Sequence, residues 1–278
     1  MSGKLFVVGT PIGNLGDMSP RAVETLCSVD FIAAEDTRVT LKLLNYFDIH
    51  KPVVSYFEHN KAEKTQKLLS RLQNGEKCAI VSDAGMPLIS DPGEDLVKAC
   101  RESGIEVESV PGPSAVITAL SVCGLSVGRF CFEGFLSVNK QSRRTHLEAL
   151  KNETRTMVFY EAPHKLLATL KDMLDAFGDR EIALCRELTK LHEQVIRTSF
   201  SDALELYADT APRGEFVLIV SGKKEDAEEY TLADAEAIAR RLLEGGASVS
   251  AAAKEAAAVT NLKKGDIYKL LIEKEDNI

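Results

Sequence analysis

The first half of the chain alternates short apolar runs with amphipathic stretches, and this alternation limits the folds open to it. Such runs are typical of buried strands, and apolar residues three or four apart are typical of helices. The pattern predicts right-handed β-α-β units and a mainly parallel sheet covered by helices. The predicted strands span 5–9, 29–34, 53–57, 78–83 and 107–110, and the predicted helices span 20–28, 37–47, 61–74, 93–103 and 113–123.

A change of pattern in the segment 121–129 predicts a domain boundary, because it carries two glycines and ends the first set of elements. A second set of strands is predicted after this boundary, and their spacing allows hairpins, which predicts a mixed sheet. Residues 231–278 predict three short alanine-rich helices, which look like a helix-turn-helix or a packing appendage. The fold class is α/β, with domains at 1–122, 123–224 and 225–278. The second set of strands is predicted at 130–135, 156–160, 181–185, 194–200 and 215–222.

Charge and composition exclude several classes of protein. The 278 residues are 45% hydrophobic and carry a formal net charge of −8, which argues against a broad non-specific grip on a polyanion but leaves room for a local basic surface. No apolar run is long enough to span a bilayer, and the N-terminus has no signal-peptide zones, so a cytoplasmic location is predicted. Six cysteines without a C-x-x-C pair predict small core residues rather than disulfides or a zinc site.

Two loops rich in proline and glycine follow predicted strands, at 82–93 and 110–115. Rigid backbone with small residues makes a wall on which an adenine or a short amino-acid moiety can lie. Because parallel sheets bind ligands at the carboxyl ends of their strands, the two loops predict adjacent lips of one crevice. The alternative is a stiff connector in which Ser90 or Asp91 caps the following helix.

Polar residues follow two other strands, at 34–38 and 56–60. Charged groups at the concave end of a parallel sheet often serve a function, but Asp36 or Thr37 would also cap the next helix. His59 is a candidate base, hydrogen-bond donor or surface residue. The loop 9–16 reads G-x-x-x-G-x-x-G, which matches neither the dinucleotide fingerprint nor the Walker loop.

Six motifs occur in order along the first 220 or so residues: GTPIGNLGDMSPRA, AEDTRVTLKLL, SDAGMPLISDPG, VPGPSA, YEAPHK and RELTKLHEQ. As a set they resemble the bacterial ribosomal small-subunit RNA (cytidine-2′-O)-methyltransferases, a family of the tetrapyrrole methylase superfamily. The resemblance implies a two-domain class III methyltransferase that binds S-adenosylmethionine between its domains, usually as a homodimer. It implies 16S ribosomal RNA as the substrate, within the assembled small subunit.

The same resemblance implies a set of cofactor-binding residues. Met86 stands where the tetrapyrrole enzymes carry an acidic residue, so their detailed contacts do not carry over. The loop 9–16 would face the acceptor rather than the cofactor. The implied cofactor-binding residues are Gly85, Met86, Pro87, Ile89, Ser90, Asp91, Ser114, Ala115, Tyr160, Leu188, Gly214 and Glu215.

Methyl transfer from a sulfonium needs an acceptor oxygen held in line with the S–CH₃ bond and needs water excluded, so no metal site is predicted. A ribose hydroxyl also needs a carboxylate or a cation nearby. Asp36 and Glu35 are candidates for handling that hydroxyl, Arg38 for pairing with a phosphate or a developing charge, and His59 as a reserve base.

The loop 139–145 predicts a clamp for RNA phosphates through Lys140, Arg143 and Arg144, although a solvated surface patch has the same composition. Two other functions remain open. A small-molecule tetrapyrrole methyltransferase is disfavoured by the E-D-T-R and G-M-P sequences. A non-enzymatic module that only binds the cofactor would be excluded by methyl transfer to RNA.

Overall fold

The computed structural model describes residues 3–58, 60–224 and 230–273. Its first sheet has the strand order β3-β2-β4-β1-β5, and every pairing is parallel, which confirms the predicted architecture. The strands are β1 Lys4–Val8, β2 Phe31–Ala34, β3 Val53–Ser55, β4 Lys77–Val81 and β5 Glu106–Val110. The helices between and after them are α1 Pro20–Ser28, α2 Thr37–Tyr46, α3 Lys61–Gln73, α4 Glu94–Glu102 and α5 Ala115–Val122.

The second sheet is mixed, as predicted, with the order β6-β7-β10-β8-β9. Strands β6 and β7 are parallel, whereas β10 runs antiparallel to both β7 and β8, and β8 and β9 form an antiparallel pair. Its strands are β6 Phe130–Phe135, β7 Thr156–Glu161, β8 Glu181–Arg186, β9 Gln194–Ser199 and β10 Phe216–Val220. Its helices are α6 Lys140–Ala149, α7 Leu166–Phe177 and α8 Phe200–Leu206.

Helix α5 packs against the second sheet, although it follows the last strand of the first. Its buried residues Val116, Ala119 and Leu120 share an apolar cluster with Val158 and Val217 of β7 and β10. The other side of this helix is accessible, since Ile117 is 57% and Val122 is 47% exposed. The domain boundary at 122/123 stays a prediction.

The chain divides into two compact units, Met1–Lys223 and Lys224–Ile278, and both sheets belong to the first. The second unit contains α9 Leu232–Glu244, α10 Val249–Thr260 and α11 Lys264–Glu273, the three helices that the alanine-rich pattern predicts. Thr231 and Asp234 form a capping box at the start of α9. Alanines of α9 and α10 pack with Ile267 and Leu271 of α11 into a core of their own.

All six cysteines are free thiols, in line with the predicted absence of disulfides. Cys78, Cys100, Cys123 and Cys185 are buried, as expected of small core residues. Cys27 is exposed on the outer face of α1, so the prediction that it belongs to the core is wrong.

Candidate active site

A cavity of about 540 Å³ lies in the first unit, where the carboxyl ends of the first sheet meet one face of the second. Pockets of about 300–1,000 Å³ with apolar walls and a few polar groups are typical of small-molecule sites. Loops after β1, β2, β4 and β5 contribute to it, as expected for a parallel sheet. Its lining is Ile12, Glu35, Asp83, Ala84, Gly85, Met86, Ile89, Ser90, Asp91, Ser114, Ala115, Phe135, Tyr160, Glu161, Ala162, Pro163, His164, Cys185, Leu188, Lys190, Glu215, Phe216 and Val217.

The two rigid loops predicted to meet at adjacent strand ends follow β4 and β5, which lie on either side of β1. They line the same cavity, but the loop after β1 lies between them. Thr10 joins this loop to the one after β4, since its backbone N–H donates to the Gly85 carbonyl at 2.9 Å and its own carbonyl accepts from the Gly85 N–H at 3.1 Å. The Thr10 hydroxyl also donates to the Ser82 carbonyl at 3.3 Å.

Gly9 and Gly112 bring the loops after β1 and β5 into direct backbone contact. A Cβ placed on Gly9 would lie 2.7 Å from the Cα of Gly112, and one placed on Gly112 would lie 2.9 Å from the Cα of Gly9. Real side chains do not tolerate such distances, so each position requires glycine because of space. Gly9, the first glycine of loop 9–16, therefore serves close packing of the loops around the cavity.

Most residues implied as cofactor-binding line the cavity. Pro87 and Gly214 do not: Pro87 is buried within its loop, and Gly214 packs against Glu187. Two residues of the loop after β4, Leu88 and Ser90, have positive φ values of 75° and 70°. Such strained backbone persists only where the surrounding structure imposes it, and it is common at ligand-binding sites.

Three carboxylates from the loops after β2 and β4 line the cavity, namely Glu35, Asp83 and Asp91. Burial, followed by the charges of Asp91 and Asp83, raises the pKa of Glu35 to about 6. Burial likewise raises the pKa values of Asp83 and Asp91, and nearby carboxylates add to both shifts. This side of the cavity therefore favours a cation, and Glu35 is poised to take up a proton near neutral pH.

Asp36 does not line the cavity. Its Oδ1 accepts from the Arg38 N–H at 2.8 Å and from Arg38 Nε at 3.0 Å, so it caps α2 and holds the guanidinium of Arg38. These hydrogen bonds lower the pKa of Asp36 to about 2. The capping role that the sequence left open is the one the structure shows, and the catalytic roles of Asp36 and Arg38 stay predictions. His59, the reserve base, lies outside the described residues.

Lys190 supplies a positive charge to the wall formed by the second sheet. Its ammonium donates to Glu187 Oε1 at 3.0 Å and to Glu215 Oε2 at 2.9 Å. Burial opposes the charge of Lys190, but the two carboxylates outweigh it and raise the pKa of the ammonium. Glu215, implied as a cofactor-binding residue, lines the cavity and also anchors this lysine.

Several lining residues were not predicted individually. Asp83 ends a predicted strand, and Ala162, Pro163 and His164 belong to the motif YEAPHK, so strand ends and motif positions already marked them. Phe135 also ends a predicted strand, but strict alternation along β6 would turn it away from the cavity.

The three cations predicted to clamp RNA phosphates have different surroundings in the structure. Arg143 is 12% exposed, and its Nε and Nη2 donate to Asp172 Oδ2 at 2.8 and 2.6 Å. Arg144 Nε donates to the other oxygen of Asp172 at 3.2 Å, while half of its side chain is exposed. Lys140 is exposed at the start of α6. The pairing of Arg143 ties α6 to α7, and an RNA-binding role for the three cations stays a prediction.

Comparison with known proteins identifies the family. The family model described as tetrapyrrole (corrin/porphyrin) methylases matches residues 4–204, which include both sheets except the last strand. The chain belongs to the tetrapyrrole methylase family. A second model, described as the RsmI C-terminal HTH domain, matches residues 231–275 and so covers the three-helix unit of this family member.

Several curated relatives of this tetrapyrrole methylase share one name. The protein called ribosomal RNA small subunit methyltransferase I of Synechocystis is 48% identical over 98% of this chain and 99% of its own length. The protein of the same name in Escherichia coli O157:H7 is 44% identical over 98% of this chain and 96% of its own length. The namesake in Thermotoga maritima is 50% identical over 80% of this chain and all of its own length.

Solved structures share the fold of this family member at low identity. A uroporphyrin-III-C-methyltransferase from Thermus thermophilus matches with a TM-score of 0.56 and 21% identity, over 79% of this chain and 94% of that one. A diphthine synthase matches with a TM-score of 0.59 and 13% identity, over 79% of this chain and 90% of the diphthine synthase chain. These matches confirm the predicted fold class.

Proposed function

We propose that this protein is an S-adenosylmethionine-dependent methyltransferase of small-subunit ribosomal RNA, and that it methylates the 2′-hydroxyl of a cytidine in 16S RNA. The observation that carries the proposal is a sequence identity of 44–48% to proteins called ribosomal RNA small subunit methyltransferase I, over nearly the whole chain, C-terminal unit included. The acceptor nucleotide and the 2′-oxygen rest on the six-motif resemblance. The cytoplasm, where ribosomes assemble, is the proposed location, and a homodimer is the proposed assembly.

The cavity fits the methyl donor. When bound, S-adenosylmethionine supplies an electrophilic methyl group on a positively charged sulfur. Apolar side chains of Met86, Ile89 and Leu188 offer a surface for the adenosine, and the cavity volume lies in the range for ligands of this size. The carboxylates of Asp83 and Asp91 place negative charge where a sulfonium or an ammonium would be stabilised.

Glu35 is the group that we assign to the acceptor hydroxyl. It lines the cavity, and a carboxyl whose pKa is about 6 is a better proton acceptor at neutral pH than an ordinary carboxylate. Asp36, its neighbour, has a pKa near 2 and is held by Arg38, which makes it a poor base. In this proposal Glu35 takes the proton of the acceptor hydroxyl, and the loops after β1, β4 and β5 exclude water. The bound donor would supply the methyl group, its C–S bond would break, and S-adenosylhomocysteine would be the leaving group.

The test is methyl transfer to small ribosomal subunits from a strain that lacks this protein, with methyl-labelled S-adenosylmethionine as donor. We expect label in 16S RNA and 2′-O-methylcytidine in its nucleoside digest, detected by mass spectrometry. Label on a base, or none in RNA, would contradict the proposal. A parallel assay with a porphyrinoid acceptor tests the small-molecule alternative, for which we expect no transfer.

A further inference from the structure

Phe135 is a large apolar side chain that lines the cavity but stays accessible. Its side chain is 57% exposed, whereas the next residue in the chain, Leu136, is buried. Its ring lies 5.3 Å from the ring of Tyr160, centroid to centroid, with the two planes tilted by 56°. The Tyr160 ring also contacts Phe132 edge-on at 5.1 Å. The cavity therefore has an aromatic corner in which Phe135 is the accessible member.

A β-bulge brings Phe135 to this corner. The register between β6 and β7 shifts between Phe132 and Gly134, so that Phe132 pairs with Val158 and Phe135 pairs with Tyr160. Residues three apart on a regular strand point to opposite faces, but here Phe132 and Phe135 both contact Tyr160. Gly134 has a φ of 64°, which a glycine adopts without strain. Bulges commonly re-aim a side chain beside an active site.

The chain that follows Phe135 carries exposed cations. Lys140 and Arg144 lie on α6, which begins five residues after Phe135. Lys140 is exposed, and about half of the Arg144 side chain is exposed. Aromatic faces beside cations are the usual means by which proteins hold single-stranded RNA, since bases stack on the rings and phosphates meet the cations. Lys140 and Arg144 thus place positive charge close in sequence to the aromatic corner, a combination that suits an RNA strand better than a neutral small molecule.

We infer that Phe135 is the platform on which the nucleobase of the acceptor nucleotide stacks while its ribose enters the cavity. The inference rests on the proposed function, because only a nucleotide acceptor brings a base to this corner. Proteins that recognise RNA by sequence mostly bind single-stranded loops, in which an unstacked base can stack on an aromatic side chain. Phe135 supplies that surface with no charge of its own and so does not select the base by hydrogen bonding.

The kinetic test compares Phe135→Leu, Phe135→Tyr and the control Phe130→Leu on unmethylated small subunits. Phe130 is 38% exposed at the opposite end of the same strand and does not line the cavity. We expect kcat/KM for the subunit to fall about tenfold in Phe135→Leu, which is the scale of one base–aromatic contact, and to stay within about threefold of wild type in the other two. Calorimetry with S-adenosylhomocysteine should give the wild-type Kd for all variants.

A second variant separates the acceptor base from the adenine of the donor. The chain contains no tryptophan, so Phe135→Trp places a single fluorophore at the corner. We expect S-adenosylhomocysteine to leave its emission unchanged. Quenching on addition of S-adenosylhomocysteine, or a raised Kd in Phe135→Leu, would assign the ring to the donor and overturn the inference.

The inference and the proposed function fail differently. Wild-type turnover together with an unchanged kcat/KM in Phe135→Leu would overturn the stacking role and leave the methyltransferase proposal intact. Absence of transfer by the wild-type protein would refute both. Loss of activity in Phe135→Tyr to the same degree as in Phe135→Leu, at equal melting temperatures, would show that the ring face is not what matters.

Discussion

Glu35 and Asp36 are adjacent in the chain, yet their carboxyl groups have oppositely shifted pKa values, about 6 and about 2. The first lines a cavity beside two other carboxylates, and the second caps α2 and pairs with Arg38. A difference of this size between neighbours makes Glu35 the better candidate for proton transfer, and the catalytic roles of both carboxylates stay predictions. From the sequence alone, both carboxylates were candidates for handling the acceptor hydroxyl.

The pH dependence of methyl transfer should follow Glu35. As pH falls through about 6, protonation of Glu35 removes the base, and kcat/KM should fall about tenfold per pH unit below the inflection. Glu35→Gln should lower kcat by about 100-fold and abolish the inflection. Asp36→Asn is the matched control, because asparagine also caps helices; it should keep the inflection, displaced slightly to lower pH because the charge of Asp36 helps to raise the pKa of Glu35. An inflection that survives in Glu35→Gln would assign the proton elsewhere, His59 included.

Glu35 should also destabilise the folded state at neutral pH. Its folded pKa of about 6 exceeds the ordinary value of 4.5, so the folded state binds the proton more tightly, and stability is lost as pH rises from 4.5 through 6. Glu35→Gln should therefore stabilise the protein at pH 8 by on the order of 1 kcal/mol, after allowance for partial solvent screening, and less at pH 4.5. Thermal melts at both pH values, with the exposed Glu102→Gln as control, measure this difference.

The contact between Gly9 and Gly112 should be intolerant of a methyl group. Gly9→Ala should lower the free energy of unfolding by about 1–3 kcal/mol, because the new Cβ overlaps the backbone of Gly112 and the sulfur of Met86. Gly128→Ala serves as the control, since no atom lies within 4 Å of its added Cβ. Chemical denaturation of the two variants tests the comparison, and equal stabilities would show that the loops separate at little cost.

Substitutions at Arg143 and Lys140 should affect different properties, the first the stability of the protein and the second its binding of RNA. Arg143→Ala leaves Asp172, which is 6% exposed, without its main partner and should cost about 3 kcal/mol of stability. Lys140→Ala should leave stability unchanged and reduce the salt dependence of RNA binding by about one unit of slope. Binding titrations at several salt concentrations, with the exposed Lys98→Ala as control, decide whether α6 contacts phosphate; an unchanged slope would remove Lys140 from the interface.

Removal of residues 225–278 should leave donor binding intact. Every residue that lines the cavity lies between Ile12 and Val217, and the three C-terminal helices have a core of their own. We expect the Kd for S-adenosylhomocysteine to change by less than about twofold, which calorimetry can measure. Loss of RNA methylation at an unchanged melting temperature would assign the helices to the substrate, whereas a lowered melting temperature would assign them to stability.

The positions of the strands and helices were readable from the sequence because they depend on local periodicity. Predicted α1 and β6 match the structure residue for residue, and glycines 245–246 and Asn261 fall between the C-terminal helices as predicted. The place of the cavity was readable as well, because parallel strands present their carboxyl ends on one side of a sheet. The motif resemblance implied a cofactor wall at 85–91; most of these residues line the cavity, and their binding of a cofactor stays a prediction.

Tertiary structure decided the surroundings of these side chains. Glu35 and Asp36 differ in burial and in the charges around them, and those depend on Asp83, Asp91 and Arg38 in the folded chain. Arg143 became a structural cation because α7 brings Asp172 beside it. Phe135 reached the cavity through a one-residue shift of register, which no period-2 pattern reveals because a bulge is defined by the pairing of two strands. Sequence thus determined the elements and their order, and long-range contacts determined the charge and the direction of the side chains at the site.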